Sequence, residues 1–126
     1  LAQISFAKKK FDDALLHPSK VNSENMIFKL DIKKLTAMIY YETGSYVNLH
    51  SLLNAYYQSA KIRNKKEENI LLRHRNFISY LKKLEILRNS SRDHSELHVQ
   101  KELLNKDNVS EKNWLMEKYI EAEKYL

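Results

Sequence analysis

The sequence predicts an all-α chain built from antiparallel helical hairpins, and three observations predict it. One Gly and one Pro among 126 residues are too few for the tight turns that sandwiches and barrels require. The abundant residue types include Leu, Lys and Glu, which, like the Ala present, are helix formers. Apolar side chains recur at spacings of three and four along most of the chain, the period of a helix with a buried face. An apolar fraction of 43%, with eight Tyr, four Phe and one Trp, argues for a globular chain and against global disorder. The length fits one domain with a modest core.

Residues 1–16 read as the end of one helix and most of a second, broken around Lys8-Lys9-Lys10. Pro18 disfavours an unbent helix past His17. Ser23 or Asn25 can cap the next helix, which runs to about Tyr41. There Phe28, Ile32, Leu35 and Ile39 follow 4-3-4 spacing, with Leu30, Ala37 and Tyr41 beside them. So wide a stripe predicts packing on more than one side. Gly44 follows directly, at the natural place for a left-handed residue ending a helix. Ser45 can cap a third segment in which Tyr46, Leu49, Leu53, Tyr56 and Ala60 share a face. A connection of about three residues makes these two helices an antiparallel hairpin.

A long helix from about Glu67 to Leu87 carries Ile70, Phe77, Leu81 and Leu84, flanked by Leu71, Ile78 and Tyr80, and Asn89-Ser90-Ser91 ends it. Glu96 to Leu104 is shorter and more polar. Asn108-Val109-Ser110 then offers a capping position, and Trp114, Leu115, Tyr119, Ala122 and Leu126 line one side of a terminal helix. Trp114 is read as a core anchor, with contact to a partner as the alternative. The pattern gives about six helical pieces and no strand.

A shift of 35 residues superimposes Ala2 on Ala37, Ile4 on Ile39, Phe6 on Tyr41, Phe11 on Tyr46 and Ala14 on Leu49. That period suits a two-helix repeat. The second copy reads Ala37-x-x-Tyr40-x-x-x-Gly44-x-Tyr46-x-x-Leu49-x-x-x-Leu53-x-x-Tyr56 and resembles the tetratricopeptide repeat. In that family a small residue, an aromatic, Gly-x-Tyr and a further small residue recur at these offsets. The chain departs from it at Leu49 and Tyr56, where the family usually has Ala, and Lys9 replaces the turn glycine in the first copy. The stretch from Leu35 to Tyr46, together with Trp114-Leu-Met-Glu-Lys118, is also similar to a group of large bacterial repeat proteins. The resemblance implies a single all-α domain over 1–126, stacked as a short solenoid. Residues 1–62 would be repeat-like and 63–126 a degenerate helical continuation. Leu1 enters the helical pattern without a starting Met, so the chain reads as part of a longer one.

Composition excludes several chemistries. Without cysteine there is no disulfide framework, thiolate metal site or Cys nucleophile, and a reducing cytoplasm is the expected compartment. A single glycine rules out phosphate-cradling glycine loops, and no nucleophile elbow is present. Asp12-Asp13 and Glu67-Glu68 are adjacent pairs that diverge around a helix and read as surface or first-turn charges. His94 and His98 are four apart, a spacing that metal sites use, but no third ligand accompanies them. No apolar run reaches the roughly 20 residues that cross a bilayer. The expectation is a chain with no catalysis, no cofactor, no metal and no membrane span.

Net charge is +6 and unevenly spread. Residues 57–92 alone hold Lys61, Arg63, Lys65, Lys66, Arg73, Arg75, Lys82, Lys83, Arg88 and Arg92 against three acids, whereas 93–126 are net acidic. The resemblance implies a protein–protein interaction scaffold whose partner is another protein or peptide, or the remainder of its own chain. Projecting the family's concave positions onto the second copy gives Lys34, Met38, Tyr41 and Glu42 as contacts. The rival reading is nucleic acid or another polyanion held by the basic block, with Tyr56, Tyr57 and Tyr80 as stacking faces.

Overall fold

A computed structural model describes residues 23–90 and 94–125. Every regular element among them is helical: α1 (Ser23–Glu42), α2 (Tyr46–Ala60), a 3₁₀ turn (Lys65–Glu67), α3 (Glu68–Ser90), α4 (His94–Lys106) and α5 (Lys112–Tyr125). The helix expected within 1–16, and with it the first repeat copy, lies outside the described residues. Contacts within the chain fall into two compact units, one extending to Ile70 and the other from Leu71 to the C-terminus.

In the first unit, α1 and α2 form the expected hairpin, and the turn between them shows why Gly44 is there. The Ser45 N–H donates to the Tyr40 carbonyl at 2.9 Å and the Gly44 N–H to that of Tyr41 at 3.2 Å. This crossed pair closes a helix on a left-handed residue, and Gly44 has φ +72. A Cβ there would meet nothing within 4 Å, so the glycine answers to backbone conformation and not to crowding. Gly44→Ala is expected to destabilise the hairpin by about 1 kcal/mol, and Gly44→Asn by less; urea midpoints at constant slope measure both.

Ser45 does not cap α2 through its side chain. Its hydroxyl lies 3.2 Å from that of Thr43, while its carbonyl accepts the Leu49 N–H and opens the helix. Along α2, Leu49, Leu53, Tyr56 and Ala60 are fully or almost fully buried, the stripe that the spacing predicts. Tyr46 is half-buried and meets Tyr41 edge-on at 6.1 Å. On α1 the hierarchy is the reverse of the expected one. Leu30, Ala37, Met38 and Tyr41 are buried, whereas Phe28, Ile32, Leu35 and Ile39 are only half-covered. A helix apolar on two sides gives no sign of which side meets its neighbour. The position of α2 decides it.

In the second unit, α4 and α5 form another hairpin, joined by residues 107–111. Leu97 and Leu104 of α4 and Leu115, Tyr119 and Ala122 of α5 are buried. The side chains of α3 reach this hairpin. Phe77 stacks at a tilt on Trp114 with centroids 6.2 Å apart, the buried Tyr119 hydroxyl donates to the Tyr80 carbonyl at 2.7 Å, and Lys83 lies 3.7 Å from Glu96. Trp114 is half-buried and also faces Lys118 Nζ at 5.7 Å, so core packing and a cation–π contact share the ring.

The α4–α5 connector is latched to α3 by polar groups. Asp107 accepts the Tyr80 hydroxyl at 3.0 Å and the Asn108 N–H at 2.8 Å. Asn76 donates to the Asn108 carbonyl at 2.9 Å, and the Ser110 N–H to the Arg73 carbonyl at 3.3 Å. Asn108 thus ties the connector to α3 through its backbone carbonyl. Burial, then the hydrogen bond to Asp107 and its negative charge, push the Tyr80 hydroxyl up to about 12 from 10.0. A group whose pKa is raised on folding contributes stability that is complete below its unfolded value and fades towards its folded one. Stability is therefore expected to fall between pH 10 and about 12 through Tyr80. Tyr80→Phe is expected to remove that share of the decline while costing about 1 kcal/mol at neutral pH; parallel urea titrations of the two proteins separate it from lysine deprotonation.

Candidate interaction surfaces

The basic block divides by position. Lys61, Arg63, Lys65 and Lys66 lie on the connector that follows α2, all exposed. There Asn64 accepts the Lys66 N–H at 3.1 Å and starts the 3₁₀ turn. Lys61 Nζ sits 5.8 Å from the centroid of the Tyr57 ring. Among the described residues no carboxylate pairs with any of these four cations.

The rest of the block lies on α3, where residues seven apart share a face and those two apart do not. Arg75 and Lys82 therefore project together, while Arg73 projects elsewhere. Lys83 is half-exposed and paired with Glu96, and Arg88 is exposed at the end of the helix. Arg92 lies outside the described residues. Of the three tyrosines offered as stacking faces, Tyr56 is fully buried, Tyr80 is held by Asp107, and Tyr57 alone is half-exposed beside the cations. A sequence window treats these charges as one patch; the helical twist of α3 disperses half of it.

The four positions projected from the repeat resemblance are also placed unequally. Met38 and Tyr41 are buried and serve the hairpin core. The Lys34 side chain is 11% exposed, 3.7 Å from Asp31. Glu42 alone is exposed.

A surface that the sequence reading passed over lies on α4. Leu97 and Leu104 point inward, fully buried, while Val99 is 47% and Leu103 50% exposed. These two stand one helical turn apart, so they lie side by side on the outer face. On α3, Leu72 and Ile86 are exposed to 38% and 43%. The signal for the α4 pair was available in the sequence, since Val99 and Leu103 are i and i+4 and fall away from the Leu97–Leu104 line.

His98 lies 3.8 Å from Glu102, both exposed, and the His94 side chain is outside the described set. Among the described residues no three His, Cys, Asp or Glu are grouped to hold a metal ion, and no helix is long and apolar enough to cross a membrane. No protein-family model, curated protein or solved structure matches the chain.

Proposed function

We propose that this chain is a protein-interaction module of helical-repeat type, without catalysis of its own, and that a partner protein or peptide docks on the outer face of α4. The observation that carries this reading is the pair Val99 and Leu103, exposed to 47% and 50% on a helix whose inner side is already filled. Single exposed apolar residues are ordinary. Two on adjacent turns, bordered by exposed Glu102 and Lys106, form the anchor-and-rim pattern that receives an amphipathic helix. The repeat part of the reading is supported by the Gly44 turn and by Tyr46 lying edge-on to Tyr41. Those are the roles that Gly-x-Tyr has in the tetratricopeptide family.

The test is photo-crosslinking in the cells from which the chain comes, with a reactive side chain at Val99, at Leu103 and, as control, at the exposed Asn113 of α5. The reading expects discrete protein adducts from positions 99 and 103 that position 113 does not give. No adduct from either, or the same adducts from all three, overturns it.

A further inference from the structure

We propose that the connector Lys61–Lys66, together with the end of α2 that leads into it, binds single-stranded nucleic acid through its phosphates. The proposal is independent of the α4 surface. It begins with a discontinuity in charge. Residues 43–60 contain no Lys, Arg, Asp or Glu at all, in a chain that is 30% charged, and the next six residues contain four cations. Helix-surface solubility does not account for so abrupt a step, because a solvated face mixes both signs.

Nor does the stability of the fold account for it. Lys61, at the C-terminal end of α2, is favourably placed against the negative end of that helix. Lys65 and Lys66 are not: they stand in the 3₁₀ turn that leads through Glu67 into α3, near the positive end of a 23-residue helix, where a cation is disfavoured. Glu67 and Glu68 follow them directly, so that residues 61–68 set four cations against two acids. The net positive charge that remains over this stretch lies beside the positive helix end, and an anion is what the combination attracts.

The end of α2 supplies the groups that complete a nucleic-acid surface. Asn54, Gln58 and Lys61 follow one another at i, i+4 and i+7, all exposed, so two uncharged amides lead along one face to the first cation. Amides contact base edges and sugars without adding charge. Tyr57 offers a half-exposed ring already engaged face-on by Lys61, a sequence-tolerant stacking platform of the kind single strands use. A duplex offers no unstacked base to that ring. An anionic membrane is the weaker fit, since a flat surface would also meet Glu68, exposed in the first turn of α3.

Fluorescence anisotropy with labelled oligo(U) and oligo(dT), titrated with salt, tests this directly. Four phosphate contacts give a slope of log K against log salt of roughly −3 for a single strand. The double variant Lys65→Gln/Lys66→Gln is expected to reduce that slope by about 1.4, and Tyr57→Leu to weaken binding roughly tenfold at every salt concentration. The charge-matched control Arg73→Gln/Lys82→Gln, on α3, is expected to leave the slope unchanged, and circular dichroism confirms that each variant is helical. Binding that is absent at low salt, a control that loses as much as the connector variant, or tighter binding to a matched duplex, to anionic vesicles or to polyglutamate each overturns the proposal. Equal binding of the two oligonucleotides means that the backbone alone is read; a preference for oligo(U) means that the ribose 2′-hydroxyl is read as well. Either outcome supports the proposal.

Discussion

Tyr119→Ala is expected to lower the stability of the C-terminal unit by about 4 kcal/mol, enough to leave much of it unfolded at room temperature. Tyr119 is 0% exposed, so the truncation opens a cavity the size of a ring at the centre of the three-helix packing. It also removes the donor held 2.7 Å from the Tyr80 carbonyl. Tyr119→Phe separates the two contributions, because it keeps the ring and is expected to cost only about 1 kcal/mol. Trp114 is the chain's single tryptophan and packs on Phe77 in the same unit, so its fluorescence in urea reports both variants. Equal losses from Ala and Phe would mean that the hydroxyl, and not the ring, holds α5 to α3.

Tyr56→Ala is the second large effect, and it sets the structure against the family resemblance. The tetratricopeptide pattern usually has Ala at this position, so a chain with that packing should tolerate the change. Here Tyr56 is 0% exposed and, with Tyr119, among the largest fully buried side chains. Its truncation is expected to cost about 3–5 kcal/mol and to accelerate amide exchange throughout α1 and α2. A loss below about 1 kcal/mol would indicate that the hairpin closes around the gap with the close approach that an alanine permits.

What the sequence made legible follows from which forces are local. The turn at Gly44 was readable because only glycine takes a positive φ without strain, and the α2 stripe because Leu49, Leu53, Tyr56 and Ala60 fall in a single line, with Val47 the one large apolar residue exposed away from it. The α1 stripe was misjudged for the opposite reason: Phe28 and Leu30 belong to different faces of a helix apolar on both, and only the neighbour's position ranks them. The turn before α5 was readable as a break at Asn108-Val109-Ser110, but its backbone conformation was not. It places Glu111 at φ 54, a conformation that costs a non-glycine residue about 1 kcal/mol, and the latch through Asp107, Asn76 and Tyr80 offsets it across some 30 residues of chain. Such long-range polar contacts leave no periodicity to read. The basic block misled in its extent, because proximity in sequence is not proximity on a helix: Arg73 and Arg75 are two residues apart and project to different sides. The other four cations fall within the six residues of the connector, all exposed.

The functional account rests on α4 presenting Val99 and Leu103 to solvent while Leu97 and Leu104 fill the interior. Because the chain has no cysteine, thiol labelling measures this without background. Single variants Val99→Cys, Leu103→Cys, Leu97→Cys and Leu104→Cys are compared in the native state for their rate of reaction with a thiol reagent. The account predicts that positions 99 and 103 react at nearly the rate of an unfolded control, and that positions 97 and 104 are slower by roughly 100-fold or more, since they react only when the unit opens. Protection at 99 and 103 equal to that at 97 and 104 would contradict it, and so would equally rapid labelling at all four.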